Sequence, residues 1–151
     1  MQERITVSAA VAAVYTAVSD VRRMGEWSPE CVGATLVNPD AEAVVGTRFT
    51  GHNRIGRSRT WTTRCTVTVA DPPRCFAFDV SLGGRIASWR FDLIQSPDGT
   101  RTEVIQSWWD RRGPVRRRLS ALISGIRDRA SHNRETMRLT LLRLKQAMES
   151  T

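Results

Sequence analysis

Hydrophobic and polar positions along this chain change period three times. Glu3 to Val7 alternates and carries β-branched Ile5, Thr6 and Val7, which predicts a strand. Val11, Val14, Tyr15 and Val18 then recur at helical spacing, with Ser8 as the expected N-cap. Ser19-Asp20 restarts a second short helix over Val21 to Glu26, and Ser28-Pro29 ends it. From Cys31 to Asp110 the period drops to two. Short alternating runs there are separated by turn clusters: Asn38-Pro39-Asp40, Gly46, Gly56, Asp71-Pro72-Pro73, Gly83-Gly84 and Pro97-Asp98-Gly99. The spacing predicts six consecutive antiparallel strands near 31–38, 46–54, 58–70, 74–81, 86–96 and 100–110. A turn over Asp71 to Arg74 sets Ala70 opposite Cys75 and Cys65 opposite Val80. The run ending at Ala70 is long for a globular strand and implies a strongly curved sheet.

After Gly113-Pro114 the helical period returns and holds to Glu149. Leu119, Leu122, Ile123, Ile126, Ala130, Asn133, Met137, Leu141, Leu144 and Met148 form one stripe of this long helix. Arg127, Arg129, Arg134, Arg138 and Arg143 take the opposite face, so the helix packs one side on something large. Gly125 inside it costs about 1 kcal/mol against alanine and predicts a bend. The element order gives an α+β fold: a seven-stranded curved antiparallel sheet wrapped around the long C-terminal helix. One helix cannot fill such a hollow. The two short helices close one end, and the space left over is a pocket.

Composition adds to this picture. The 151 residues suit one domain, 1–151, with room for a core. The formal charge is +8, and Lys145 is the only lysine among 23 basic residues. Cys31, Cys65 and Cys75 make an odd set without CxxC spacing, which fits a reducing compartment better than a disulfide framework or a zinc site. Met-Gln-Glu-Arg leads straight into the first strand, and no apolar run reaches the roughly 18 residues of a membrane span, so the expected location is cytoplasmic.

Several stretches carry a resemblance: Val18-Ser19-Asp20-Val21 through Met24-Gly25-Glu26-Trp27-Ser28-Pro29-Glu30, and Val45-Gly46-Thr47-Arg48-Phe49 with Gly51 and Asn53. Trp61, Asp71-Pro72-Pro73-Arg74-Cys75-Phe76-Ala77-Phe78, Trp89-Arg90-Phe91 and the segment from Met137 to Glu149 continue it. Together they resemble the START-like, or Bet v 1-like, helix-grip superfamily (SRPBCC), nearest its polyketide cyclase/dehydrase and lipid-transport group. That resemblance implies one START-like ligand-binding domain. Because the superfamily mixes carriers, cyclases and regulators, it specifies a fold more closely than an activity.

The candidate ligand-binding residues are those that alternation turns toward one face. Phe49, Trp61, Phe78, Trp89 and Trp108 are the aromatic members, with Phe76 and Phe91 beside them. Trp27 is placed at the pocket entrance by the resemblance. Asn53 shares the face of Phe49, Gln106 that of Trp108, and Asn133 lies with Met137 on the helix stripe. Such amides orient a mostly apolar ligand; their other role is a structural hydrogen-bond network. His52 is expected to face outward and His132 to reach the stripe's edge, and with no acid at ligand spacing neither predicts a metal. Asp79, Asp92 and Glu103 are expected to face outward, whereas Asp110 shares Gln106's face at a strand end. No catalytic residue and no cofactor are nominated. Arg111, Arg112, Arg116, Arg117 and Arg118 oppose the dipole of the helix they start, which points to peripheral contact with an anionic membrane, while nucleic acid is not expected. The expected function is binding or carriage of a hydrophobic lipid, polyketide or aromatic metabolite by a monomer or homodimer. The alternatives are an aromatase/cyclase and a membrane- or partner-binding regulatory module.

Overall fold

The structure, a computed structural model, describes residues 1–150, without the side chains of residues 123 and 124. Strand β1 (Gln2–Val7) is followed by helix α1 (Val11–Ser19), a 3-10 turn (Val21–Arg23) and helix α2 (Met24–Trp27). Six strands come next: β2 (Cys31–Leu36), β3 (Arg48–Ile55), β4 (Arg59–Asp71), β5 (Cys75–Ser81), β6 (Arg85–Gln95) and β7 (Thr102–Asp110). Helices α3 (Pro114–Ser124) and α4 (Arg129–Glu149) end the chain. The strands form one antiparallel sheet in the order β1-β7-β6-β5-β4-β3-β2, so every pair except β1–β7 is a hairpin between sequence neighbours. This is the α+β architecture that the element order predicts and the helix-grip fold that the resemblance implies.

Three local expectations are corrected. Cys65 does face Val80, but the β4–β5 ladder shifts between Val67 and Val69, so Ala70 faces Phe76 and Asp71 faces Cys75. The extra residue is a bulge, which increases local twist and helps the long strand curl. Ser8 does not cap α1. The cap position is Ala10, and the Ser8 amide donates to Glu149 Oε1 at 2.7 Å, tying the β1–α1 link to the end of α4.

The third correction reshapes the C-terminal region. The expected continuous helix is two. Gly125 adopts a left-handed conformation (φ 74°) and donates to the Ala121 carbonyl, ending α3 as glycine does at helix C-termini. Asp128 then caps α4 by accepting from the Ser131 amide at 3.1 Å. Only α4 carries a buried stripe, made of Asn133, Met137, Thr140, Leu141 and Leu144. Leu119 and Leu122, expected on that stripe, are 57% and 79% exposed, and Ala130 is exposed too. The side chain of Ile123 lies outside the described residues.

Inside the grip, the interior is solid at one end. Val7, Val14, Phe76, Val104 and Leu144 are fully buried there, and Tyr15 meets Phe76 edge-on at 6.5 Å. Four elements then run from this floor toward the opposite end. On β7 the inward series is Val104, Gln106, Trp108; on β6 it is Leu93, Phe91, Trp89, Ala87; on β5 it is Phe76, Phe78, Val80. On α4 it is Leu144, Leu141, Met137, Asn133 and Arg129, at i,i+3 and i,i+4 spacing. Large side chains fill the floor. Farther along, the sheet and α4 enclose a hollow.

Candidate functional site

The hollow has a volume of about 430 Å³. Its buried apolar wall includes Phe49, Phe78, Phe91 and Met137, each 1–7% exposed. Phe49 and Phe78 meet edge-on with centroids 5.4 Å apart. Amide and hydroxyl groups interrupt it: Asn53 and Thr63 on β3 and β4, Gln106 on β7 opposite Phe91, and Asn133 on α4. Trp89 and Trp108, cross-strand partners with centroids 6.3 Å apart, continue the wall next to Phe78. The rim is charged, with Glu30, Arg112, Arg116 and Arg129 beside the exposed Leu82 and Leu119.

Every candidate from the sequence lies on this wall: Trp27, Phe49, Asn53, Trp61, Phe78, Trp89, Gln106, Trp108, Asn133 and Met137. Trp27 reaches it because α2 lies flat on β2. A Cβ on Gly25 would sit 2.4 Å from the Val32 carbonyl oxygen, so only glycine permits this approach. Trp27 is 2% exposed beneath the Arg23 guanidinium, which lies 5.1 Å from its ring centroid.

Hydrogen bonding separates the three amides. Asn53 is anchored: its Nδ2 donates to Thr63 Oγ1 at 3.3 Å and to the Gly51 carbonyl at 3.4 Å. Gln106 is not. It is 5% exposed, and its Oε1 is buried without a hydrogen-bond partner among the described residues. Asn133, 2% exposed, makes no side-chain hydrogen bond among the described residues; only its backbone carbonyl accepts, from Thr136 Oγ1. Two amides on opposing elements thus face the hollow with unused hydrogen-bonding capacity. For the buried Gln106 oxygen that is costly unless a guest or ordered water supplies the missing partner.

The charged rim departs from the sequence expectations. Arg129, assigned to the polar face of the helix, lines the cavity one turn before Asn133. Its Nη2 donates to Glu30 Oε1 at 2.5 Å, while Glu30 Oε2 and His132 Nε2 lie 2.9 Å apart. This triad joins the start of β2 to the first turn of α4. Burial alone would raise the pKa of Glu30. The hydrogen bond from His132 and the attraction of Arg129 outweigh it and hold the carboxyl below its ordinary value.

Arg112 is equally committed. Its side chain is 8% exposed, with Nε and Nη2 each 2.9 Å from the Asp110 carboxylate. Burial favours the neutral form of Asp110, but these bonds keep its pKa lowered. Arg117 approaches the same carboxylate at 3.4 Å, and Arg111 donates to Ser88 Oγ and lies over Trp109. Within the basic cluster Arg112 alone is turned inward; Arg111, Arg116, Arg117 and Arg118 are exposed, although Arg111, Arg116 and Arg117 also make contacts within the protein. A second hollow of about 330 Å³ adjoins the first, sharing Trp108, Arg112 and Arg129 and adding Arg117 and Arg127.

His52 lies off the cavity wall, 2.8 Å from Thr35 Oγ1. Cys65, on the wall, has a thiol that burial pushes up to about 12, and burial raises Cys31 as well, so neither is a thiolate at neutral pH. Thr63 was not singled out in the sequence, although alternation places it on the face of Trp61. Arg129 also had a signal, standing four residues before Asn133. Glu30 had none, because its partners lie 99 and 102 residues away.

Residues 1–149 match the family model described as polyketide cyclase / dehydrase and lipid transport. A polyketide-cyclase-like protein of Corynebacterium glutamicum, solved by NMR, is 32% identical, with 99% of this chain and 90% of that one covered and a TM-score of 0.58. Two di-domain ARO/CYC proteins share the fold at lower identity. StfQ, from the steffimycin biosynthetic pathway, is 13% identical with a TM-score of 0.71, covering 99% of this chain and 44% of that one. BexL, from the BE-7585A pathway, is 16% identical with a TM-score of 0.67, covering 99% and 46%. No curated protein matches. No helix among the described residues is long and apolar enough to cross a membrane. On the match across nearly its whole length, the chain belongs to the polyketide cyclase / dehydrase and lipid transport family.

Proposed function

We propose that this domain binds and carries an apolar small molecule bearing one or more hydroxyl or carbonyl groups, of the lipid, polyketide or aromatic class. The observation that carries this reading is the unpartnered Oε1 of Gln106, with the Asn133 amide also on the wall of a largely apolar hollow. A pure hydrocarbon guest would leave them unpaired. A guest with polar substituents facing them would satisfy them, while its body lies against Phe49, Phe78, Trp89, Trp108 and Met137. The volume, about 430 Å³, falls in the range of small-molecule sites. Burial of the guest would supply most of the affinity, at about 25 cal/mol per Å², with the amides fixing its orientation.

Cyclisation of a polyketide is the second reading, since the same amides would polarise a ligand carbonyl. It ranks second because Glu30 and Asp110, the acids nearest the wall, are locked in ion pairs and not poised to exchange protons. Turnover of a model polyketide that disappears in Asn133→Ala would reverse the order. The direct test of the lead reading is native mass spectrometry of the purified protein. The expected spectrum shows a discrete added mass that organic extraction releases. A bare protein that also takes up no apolar compound after extraction would overturn the reading.

A further inference from the structure

The charged groups at the cavity rim bear on the nature of its guest. Three arginines line the wall, all at the rim, against one carboxylate, Glu30. Two of the three are answered: Arg129 by Glu30, and Arg112 by Asp110 just behind it. Arg116 is not. It donates to the Gly83 carbonyl on the β5–β6 hairpin and pairs with no carboxylate among the described residues. Its guanidinium lies against Gly84, so the β5–β6 hairpin and α3 together place it at the cavity mouth. Arg116 also stands in the first turn of α3, where the helix dipole disfavours a cation and an anion would relieve the conflict. Deeper in, the buried Oε1 of Gln106 still lacks a donor.

From this arrangement we infer that the guest is an amphiphilic acid: its apolar body fills the hollow, a hydroxyl or other donor meets Gln106, and an acidic group lies at the rim on Arg116. The inference rests on the binding reading above and narrows it from apolar molecules in general to those carrying an anionic group at one end. A charge-assisted contact to guanidinium is the strong kind of hydrogen bond, and because Arg116 is exposed its strength falls as salt is added.

Two fluorescent probes that differ only by the acid test it: anilinonaphthalene sulfonate and its neutral parent, N-phenylnaphthylamine. At low salt the full-length protein is expected to bind the sulfonate at least tenfold more tightly than the parent. The parent should displace the sulfonate competitively. In Arg116→Gln the ratio of the two affinities should fall to within about twofold, and Arg116→Lys should restore part of it. Equal affinities in the wild type would overturn the inference while leaving the pocket intact as a binding site. So would a preference that Arg116→Gln leaves unchanged, or sulfonate that the parent cannot displace. If neither probe binds, the binding reading itself fails, and the inference with it.

Discussion

Gln106→Leu is expected to melt higher than the wild type when empty and to bind polar-substituted apolar ligands at least tenfold more weakly. Gln106 is 5% exposed, and its Oε1 is buried without a partner. An unsatisfied buried acceptor costs about 1–3 kcal/mol, and leucine removes it while offering apolar contact to Phe91, its cross-strand neighbour. A net gain of about 1–2 kcal/mol corresponds to roughly 3–6 °C in melting temperature for a domain of this size. The affinity loss follows from the same substitution, because leucine can neither accept nor donate. Calorimetric melting and a ligand titration on one preparation check both halves. A variant that melts lower and binds as well as the wild type would make Gln106 a structural residue satisfied by ordered water.

Glu30→Gln should lower stability by about 2 kcal/mol near neutral pH, somewhat less than a fully buried ion pair because Glu30 and Arg129 retain 13% and 21% exposure. The glutamine leaves Arg129 partly buried without its counter-charge and weakens the contact to His132. Replacing Arg129 by methionine in the same chain should recover much of the loss, as removal of both partners of a pair generally does. The pH dependence has a definite sign. Arg129 and His132 from α4 face the carboxyl, with Cys31 beside it on the chain, and the folded protein holds its pKa below the ordinary value. Its stabilisation is therefore complete above the unfolded value of about 4.3 and is lost as the pH falls through the folded one. The gap in melting temperature between wild type and Glu30→Gln should be constant near neutrality and close on acidification. A gap that widens in acid would mean the carboxyl is not held ionised by this contact.

The sheet was legible because alternation and turn residues are local signals. Asp71-Pro72-Pro73, Gly83-Gly84 and Pro97-Asp98-Gly99 mark hairpins whose strands stay neighbours in the sheet, so reading along the chain amounts to reading across it. The same alternation placed Phe49, Asn53, Trp61, Phe78, Trp89, Gln106 and Trp108 on the cavity wall. What failed depended on events that periodicity does not record. The bulge at Thr68 adds a residue to one strand without disturbing composition. Gly125 together with Asp128 and Ser131 is a helix stop and restart, yet a continuous apolar stripe obscured it. Arg129 was given to the solvent face because it is charged, although its spacing from Asn133 and Met137 puts it on the inward stripe. Glu30 finds its partners at a sequence distance that no local pattern reaches, so the charged rim came from the structure, while the aromatic belt was readable in advance.

The central claim, that the hollow between the sheet and α4 takes up an apolar guest, is tested most directly by backbone and side-chain NMR during titration with N-phenylnaphthylamine. The account predicts saturable shifts concentrated on the side-chain amides of Gln106 and Asn133 and the indole N–H groups of Trp61, Trp89 and Trp108, with contacts from the probe to Phe78 and Met137. Shifts confined to the exposed leucines of α3, or no saturable response on the cavity wall, would contradict it.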